Sequence, residues 1–340
     1  MKAAVLTEFG TDLVMRDVPD PEPGPGEVLV KVAAAGVCHS DVHLRGGAFK
    51  DLPPSFPWIM GHENAGYIAQ LGAGVTRLPI GAPVAVYGGW GCGLCHLCTS
   101  GDEQLCDRSL WAGLGAPGGY AEFLRVPSPR HLVPLGDLDP VLAAPLTDAG
   151  LTPYRAVKRV LPRITPGTTA VVIGAGGLGQ FTIQYLKLLT AAKVIVLDTS
   201  SQKLEVARAL GADVVFDASS PGIASEVAAA ATRTGVAAVF DNVGSDQSLR
   251  LGMAVLGPRG ALVQVGLAGG SAPFSYETLA IEAAVTYSWW GNRAELAEVV
   301  ALAQAGLLTV AVDRYPLRAI NEVFDRLEAG QVPGRAVLIP

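Results

Sequence analysis

The stretch AVVIGAGGLG, residues 170–179, joins an apolar run to a glycine-rich turn, and a helical pattern follows it. The turn contains Gly174, Gly176, Gly177 and Gly179. The next apolar run, KVIVLD, ends at Asp198. A strand, a glycine turn, a helix and an acidic residue about 20 positions further on form the pattern of a dinucleotide-binding unit. The stretch therefore predicts a strand and a helix that hold a dinucleotide.

Each glycine has a distinct task in this interpretation. Gly174 makes the turn, Gly176 lets the backbone approach a pyrophosphate, and Gly179 lets the helix pack closely on the strand. Together with Gly177 and Leu178 they open the helix, whose N-terminus attracts an anion. A tight strand-to-helix turn without any ligand is the alternative.

Asp198 also predicts which dinucleotide binds. Its carboxylate would accept hydrogen bonds from both ribose hydroxyls of NAD, whereas the extra phosphate of NADP would repel it. Lys203 could partly neutralise that phosphate, but the sequence TSSQK offers no arginine beside Asp198. We therefore expect NAD as the coenzyme. The alternative is that Asp198 only caps the helix SSQKLEVA.

The pattern around this unit divides the chain into two parts. From about residue 150, six apolar runs alternate with helical patterns, which predicts a doubly wound parallel sheet. Residues 1 to about 148 are short alternating runs broken by glycine and proline, the pattern of a β-rich domain. After about residue 290 the sequence predicts a helix, a short strand, a helix and a strand. A length of 340 residues also favours two domains.

The composition excludes several classes of protein. Half of the residues are hydrophobic, 16% are charged, and 41 glycines and 24 prolines indicate a globular chain with many turns. A net charge of −6 leaves no basic surplus for nucleic acid or anionic lipid. The N-terminus lacks the pattern of a signal peptide, and no apolar run reaches the roughly 18 residues of a membrane span. We expect a cytoplasmic protein with reduced cysteines.

Four of the five cysteines lie in GWGCGLCHLCTSGDEQLC, residues 89–106. Cys92, Cys95, Cys98 and Cys106 have the spacing C-x2-C-x2-C-x7-C. Two disulfides fit such short intervals poorly, and a redox pair needs only one C-x-x-C. Four thiolates around a tetrahedral Zn²⁺ fit better, and with no open position the site is structural. An iron–sulfur cluster and free thiols remain alternatives, and we expect His96 to be exposed.

Two further stretches are dense in reactive side chains: GVCHSDVH, residues 36–43, and GHENAG, residues 61–66. Their candidate functional residues are Cys38, Ser40, Asp41, His43, His62 and Glu63. A lone cysteine is usually a small buried hydrophobe, and a lone histidine can be satisfied in a core. Such a density of polar groups in two loops is hard to explain as core.

GVCHSDVH, GHENAG, the cysteine loop and AGGLG, in this order and spacing, resemble the zinc-dependent medium-chain alcohol dehydrogenases. The stretches RHLVPLGDLDP and APLTDAGLTPY are similar to the bacterial NAD-dependent secondary and aryl alcohol dehydrogenases. The resemblance covers nearly the whole chain. It implies an α/β protein with a GroES-like, β-rich catalytic domain, residues 1–149 and 289–340, and a Rossmann coenzyme domain, residues 150–288. The implied activity is reversible hydride transfer between a primary, secondary or aryl alcohol and NAD, giving an aldehyde or ketone.

The resemblance also implies a second, catalytic zinc. In the better-known members two cysteines and one histidine bind it; here Cys38 and His62 match two of these, and Asp148 stands in place of the other cysteine. One thiolate and one carboxylate balance the charge of Zn²⁺, as two thiolates would, and leave a fourth position for substrate. Glu63 matches a neighbouring glutamate that can approach the metal when substrate leaves. Alternatively, Asp148 caps the helix that begins near Gly150.

The remaining roles also follow from the resemblance. Ser40 would hydrogen-bond the alcohol and pass its proton, through the nicotinamide ribose, to His43, which delivers it to solvent. Asp41 would orient the ring of His62. By the same resemblance, Thr152 would contact the nicotinamide, and His39 and Arg335 would contact the pyrophosphate. The substrate pocket would be lined by Trp289 and Trp290. The alternatives are solvated surface charges for His39 and Arg335 and a core position for the tryptophan pair.

The resemblance implies a homodimer or homotetramer that assembles through edge strands of the coenzyme domain. A polyol or sugar dehydrogenase of the same superfamily is an alternative function. A zinc-free quinone or enoyl reductase would lack Cys38, His62 and the cysteine loop. A nonenzymatic nucleotide- and zinc-binding module would need no Ser40 to His43 relay. Reduction of NAD⁺ by a panel of alcohols would separate these classes.

Overall fold

The computed structural model describes residues 1–48, 55–332 and 334–340. The chain forms two compact units: a split unit, Met1–Leu151 with Gly291–Pro340, and a continuous unit, Thr152–Trp290. The domain limits given by the sequence stay predictions. No helix in the described part of the chain is long and apolar enough to cross a bilayer.

Strands and helices are numbered in chain order. The strands are β1 (Lys2–Leu6), β2 (Val14–Asp17), β3 (Val28–Gly36), β4 (Trp58–Ile59), β5 (Glu63–Leu71), β6 (Pro83–Val86), β7 (Gly89–Trp90), β8 (Leu110–Trp111), β9 (Phe123–Val126), β10 (Leu132–Pro134), β11 (Thr169–Ile173), β12 (Lys193–Asp198), β13 (Val214–Asp217), β14 (Val236–Asp241), β15 (Ala261–Gln264), β16 (Ala284–Tyr287), β17 (Val312–Pro316) and β18 (Arg335–Ile339). The α-helices are α1 (His39–Arg45), α2 (His96–Thr99), α3 (Pro140–Ala143), α4 (Leu151–Val160), α5 (Gly177–Leu189), α6 (Ser201–Ala209), α7 (Ile223–Ala230), α8 (Asp246–Val255), α9 (Arg293–Gln304) and α10 (Ile320–Glu328).

The continuous unit contains a six-stranded parallel sheet in the order β13-β12-β11-β14-β15-β16. All five residues of β11 are buried, as are the last five of β12, because a sheet covered on both faces needs continuous apolar strands. The core includes Val171, Ile195, Val239 and Leu262. The order changes direction beside β11, so the glycine turn and Asp198 lie at the carboxyl edge where ligands bind in such sheets. The predicted doubly wound fold is confirmed.

The split unit is built on a seven-stranded sheet in the order β10-β6-β5-β3-β18-β17, in which β9 also pairs with β3. A three-stranded sheet, β2-β1-β4, and a two-stranded one, β7-β8, complete it. Strand β18 lies between β3 and β17, antiparallel to the first and parallel to the second. The predicted β-rich fold is therefore confirmed, and the tail of the chain belongs to the same sheet as β3 and β5.

Candidate active site and metal centres

Four side chains from three segments that are distant in sequence meet where β3 ends and β5 begins. Cys38 is the N-cap of α1, Glu63 is the first residue of β5, and Asp148 follows the 3-10 helix Ala144–Thr147. One ligand atom each from Cys38, His62, Glu63 and Asp148 lies within 4.8 Å of the other three, and all four residues are buried. A thiol, an imidazole and two carboxylates are a donor set suited to Zn²⁺. The residues that the resemblance assigned to the catalytic zinc thus lie together.

The ring of His62 is held between two carboxylates. Its Nδ1 lies 3.1 Å from Oδ1 of Asp41, and its Nε2 lies 3.3 Å from Oδ2 of Asp148. The other oxygen of Asp41 accepts hydrogen bonds from the backbone N–H of Cys38 at 2.9 Å and from the hydroxyl of Tyr120 at 2.8 Å. A carboxylate on the distal nitrogen fixes the orientation of a ligating imidazole. The contact predicted for Asp41 is present, and it also tethers the backbone of Cys38.

Glu63 is buried beside these ligands and forms an ion pair with Arg335. Burial raises the pKa of Glu63 to about 7, although the charge of Arg335 opposes that shift. One carboxylate oxygen, Oε2, has no hydrogen-bond partner within the described residues. A Cβ at Gly36 would lie 1.9 Å from this oxygen, so only glycine leaves room for Glu63 here. A buried carboxylate oxygen without a donor, next to a thiol and an imidazole, fits a site for a cation.

The residues assigned to the proton relay follow Cys38 along α1. The Sγ of Cys38 lies 3.7 Å from the Oγ of Ser40, so the hydroxyl is adjacent to the cluster. His43 is half-buried one turn later, and the centroid of its ring lies 6.3 Å from that of the exposed His39. Both histidines, together with Glu328, line an open cavity of about 490 Å³. His43 is therefore accessible from solvent.

The cysteine loop brings its four sulfur atoms within 4.8 Å of one another. All five cysteines of the chain have free thiols, so the loop contains no disulfide. Backbone N–H groups of Leu94 and Cys95 lower the pKa of Cys92 to about 6, whereas burial raises the pKa of Cys98 to about 12. Convergence of four thiols, one of them already stabilised as a thiolate, fits a tetrahedral Zn²⁺. His96 is exposed, as predicted.

The glycine turn has the backbone that its sequence predicts. Gly174 has a φ of +85°, and a Cβ at Gly179 would lie 1.9 Å from the carbonyl oxygen of Gly174. A Cβ at Gly176 would meet no described atom within 4 Å, so that side of the turn is open. Helix α5 begins at Gly177, and Leu178 lies in its first turn. This arrangement fits a pyrophosphate-binding site. It combines a left-handed turn, close packing of helix on strand, and an open helix N-terminus.

Asp198 ends β12 and faces this turn. Its Oδ2 accepts a hydrogen bond from the backbone N–H of Ala175 at 2.7 Å, and its Oδ1 accepts one from the N–H of Ser200 at 2.9 Å. The N-cap of α6 is Ser200, whose hydroxyl accepts from the N–H of Lys203 at 3.4 Å. Because Ser200 is the N-cap of α6, the alternative that Asp198 serves only to cap this helix does not hold.

The other predicted coenzyme and pocket residues lie as follows. Thr152 is buried in the first turn of α4. Arg335 is also buried and contacts Glu63, so its role toward a pyrophosphate stays a prediction. Trp290 is buried with a φ of +45°, and Trp289 is half-buried with its ring centroid 5.9 Å from that of Tyr287. Their role in substrate binding also stays a prediction.

Tyr120 is a site residue that no sequence pattern indicates. Its ring packs on Gly61, which has a φ of +97° and where a Cβ would lie 2.5 Å from the ring. This contact directs the hydroxyl to Asp41. A tyrosine after two glycines looks like an ordinary core aromatic, and only the tertiary contact shows that its hydroxyl reaches the cluster.

Comparison with known proteins agrees with this geometry. Residues 24–137 match the alcohol dehydrogenase GroES-like domain, and residues 177–305 match the zinc-binding dehydrogenase family. The NAD-dependent alcohol dehydrogenase of Sulfurisphaera tokodaii is 39% identical over 100% of both chains. The D-arabinose 1-dehydrogenase (NADP⁺) of Saccharolobus solfataricus is 34% identical over 100% of this chain and 97% of its own. The solved alcohol dehydrogenase of Aeropyrum pernix is 40% identical over 100% of both chains, with a TM-score of 0.93.

The fold and the site thus define an oxidoreductase of the zinc-binding dehydrogenase class. The chain belongs to the GroES-like, zinc-binding alcohol dehydrogenase family, and the resemblance stated from the sequence is confirmed.

Proposed function

We propose that the protein is an NAD-dependent, zinc-containing alcohol dehydrogenase that interconverts a primary or secondary alcohol, aryl alcohols included, with the aldehyde or ketone. The buried group of Cys38, His62, Glu63 and Asp148, with the hydroxyl of Ser40 beside it, carries this proposal. A purely structural metal site would need no hydroxyl next to its ligands and no path for a proton. The four-cysteine loop supplies the closed structural site, and the buried group supplies the open catalytic one.

The ligand set supports a neutral catalytic site. Cys38, His62 and Asp148 would hold the ion, and Asp41 would keep the Nε2 of His62 directed toward it. The charge of Glu63 is already compensated by Arg335, so this carboxylate need not ligate throughout turnover. A zinc ion in this place supplies a Lewis acid that lowers the pKa of an alcohol.

The residues of α1 then remove the hydroxyl proton. The Oγ of Ser40 lies beside the Sγ of Cys38, where it would accept the hydrogen bond of an alcohol bound at this cluster. The imidazole of His43, at the open cavity, transfers the proton to solvent. Bound NAD⁺ would supply the hydride acceptor, so that the alcohol would lose one hydride and one proton overall and become a carbonyl compound.

The continuous unit supplies the coenzyme site. The glycine turn and the N-terminus of α5 would bind the pyrophosphate, and Asp198 would bind the ribose of NAD. We assign residues 150–288 to this coenzyme domain, and residues 1–149 and 289–340 to the catalytic domain. Thr152, His39 and Arg335 are proposed coenzyme contacts, and Trp289 and Trp290 are proposed to line the substrate pocket.

An activity assay tests the proposal directly. Purified protein with its metal is given NAD⁺ and a panel of primary, secondary and aryl alcohols, and NADH is followed by its absorbance. We expect turnover with several of these alcohols and about two zinc ions per chain by metal analysis. Two bound zinc ions without any turnover would instead support a nonenzymatic module.

A sugar dehydrogenase is the second candidate, because a D-arabinose dehydrogenase is among the relatives that match the whole chain. Aldoses in the same panel distinguish the two functions through kcat/KM. A value for an aldose above that of every alcohol would favour the second candidate.

We also propose that the chain forms a homodimer or a tetramer of two dimers. Strand β16 ends the sheet order, and Val285 and Tyr287 on it are exposed, as is Ile281 before it. An exposed apolar edge strand is a template for pairing with a second copy. Light scattering should report at least a dimer, and Val285→Asp should shift the protein toward monomer, whereas Ile80→Asp, at an exposed apolar residue elsewhere, should not. A wild-type monomer at micromolar concentration would contradict the proposal.

We infer a cytoplasmic location because four of the five cysteines form one cluster, and clustered cysteines in a reducing compartment bind metal more often than they form disulfides.

A further inference from the structure

The guanidinium of Arg130 contacts both ends of the cysteine loop. Its Nη2 donates a hydrogen bond to the carbonyl oxygen of Gly91 at 2.7 Å and lies 3.2 Å from Oε2 of Glu103. Gly91 immediately precedes Cys92, and Glu103 precedes Cys106 by one 3-10 turn. One side chain from outside the loop therefore joins its first and last metal-binding segments.

The loop packs so closely at these contacts that only glycine is accommodated. A Cβ at Gly91 would lie 2.6 Å from the Sγ of Cys98 and 2.9 Å from the Cβ of Glu103. A Cβ at Gly93, where φ is +76°, would lie 3.0 Å from Nη1 of Arg130. The guanidinium thus lies against the backbone that carries Cys92, and its position is coupled to that of the sulfur atoms.

A buried histidine holds this guanidinium in place. The Nε of Arg130 donates to Nε2 of His131 at 3.3 Å, and Nδ1 of His131 lies 3.9 Å from Oε2 of Glu103. Burial, and then the charges of Arg130 and Arg293, lower the pKa of His131 to about 3, so the ring is neutral near pH 7. Its backbone oxygen accepts from the N–H of Tyr87 at 2.8 Å, next to β6. The support for Arg130 is therefore part of the main sheet region and not of the loop.

We propose that Arg130 is a positioning residue that holds the cysteine loop in its metal-binding conformation and slows the release of the structural ion. This inference rests on the structural zinc site proposed above. A loop that keeps its shape without the ion loses less conformational entropy on binding it, and charge-assisted hydrogen bonds are suited to hold that shape. The positive charge also lies near four thiolates whose net charge with Zn²⁺ is −2.

Zinc release into a chelating indicator dye tests the role of Arg130 without any activity measurement. The full chain carrying Cys38→Ser is used as the background, because it should retain only the structural ion. In this background we compare Arg130→Met with Arg125→Met, a matched change at an exposed arginine of β9 that pairs with Glu27. We expect Arg130→Met to release zinc at least tenfold faster and Arg125→Met to release it at the background rate. Arg130→Lys should fall between them, since an ammonium cannot keep both the hydrogen bond to Gly91 and the ion pair with Glu103 in the fixed geometry of a guanidinium.

Equal release rates in the Arg130 variants and the background would overturn the inference. If Arg130→Met does not fold, the Arg130→Lys comparison decides the matter in the same way. A background protein that contains no zinc at all would instead contradict the structural zinc site itself, and the inference would fall with it. The metal content of the background thus separates the two failures.

Discussion

The carboxylate of Asp198 accepts a hydrogen bond from the backbone N–H of Ala175, at 2.7 Å, within the glycine turn. The residue proposed to bind the ribose is therefore tied to the turn proposed to bind the pyrophosphate. The two parts of the coenzyme site hold each other in position before a coenzyme arrives, and a change at Asp198 should affect both.

Asp198→Gly should remove the preference for NAD. In the wild type we expect kcat/KM to favour NAD⁺ over NADP⁺ by at least roughly a hundredfold, about 2.7 kcal/mol, and the variant to lose most of that margin. The KM for NAD⁺ should also rise, because the turn loses its hydrogen bond at Ala175. Asp217→Asn, at the exposed end of the neighbouring β13, is the control and should keep the ratio. Equal efficiency of the two coenzymes in the wild type would refute the role of Asp198.

Exchange of one cysteine in each metal cluster should separate chemistry from stability. Cys38→Ser should reduce turnover to background while the melting temperature stays close to that of the wild type. Cys95→Ser should chiefly lower the melting temperature, because a structural zinc site contributes to folding. Each variant should contain about one zinc per chain. If Cys95→Ser were the inactive, stable variant, the two roles would have to be exchanged.

Ser40→Ala should cost more activity than His43→Ala. Loss of Ser40 removes the group at the reacting oxygen and should lower kcat by about 10²-fold or more, whereas water can partly replace the terminal group of a relay. His43→Ala should also alter the pH profile of kcat. An unchanged profile in that variant would remove His43 from the mechanism.

Asp41→Asn should weaken binding of the catalytic zinc by about 10- to 100-fold, because Asp41 orients the ligand His62 and tethers the backbone of Cys38. Tyr120→Phe removes only one hydrogen bond to the same carboxylate and should have a smaller effect. Zinc content after dialysis against a graded chelator measures both. The hypothesis fails if Tyr120→Phe loses zinc as readily as Asp41→Asn does.

His131 should make the protein less stable at acid pH. Burial, with Arg130 and Arg293, lowers its pKa to about 3, so between pH of about 6.5 and 3 only the unfolded chain binds this proton. The contribution of neutral His131 to the free energy of unfolding is complete above pH of about 6.5. It is lost as the pH falls below that value, by up to about 1.4 kcal/mol per pH unit. His131→Gln can still accept from Arg130 but does not titrate. Urea unfolding at pH 7 and pH 5 should show the wild type losing more stability than the variant.

The sequence predicts secondary-structure elements and motifs better than it predicts which strands and side chains contact one another. Strands β11 to β16 follow from apolar runs between helical patterns, because a covered parallel sheet requires such runs. The insertion of β18 beside β3 does not follow, since no local pattern specifies a partner some 300 residues away. The four-cysteine site could be inferred from spacing alone, whereas the proposal of Asp148 as a ligand depended on the family resemblance.

The contacts of Arg335 and Arg130 show a similar limit. Arg335 was predicted to meet a pyrophosphate, and the structure shows its ion pair with Glu63, which only the pairing of β18 with β3 brings about. Arg130 lies outside the cysteine motif, so spacing gives no sign that it reaches Gly91 and Glu103. Tertiary packing determines which segments a long side chain such as Arg335 or Arg130 contacts.

The position of β18 also orders events during translation. The continuous unit is complete once Trp290 has emerged from the ribosome, so its parallel sheet can form on the nascent chain. The sheet of the split unit must wait for β18, and Glu63 must wait for Arg335, which is synthesised 272 residues later. Until then a buried carboxylate would have no cation beside it. We therefore expect the ion of the catalytic cluster to be acquired only after Arg335 has been synthesised, whereas the cysteine loop has all four of its ligands once Cys106 has emerged.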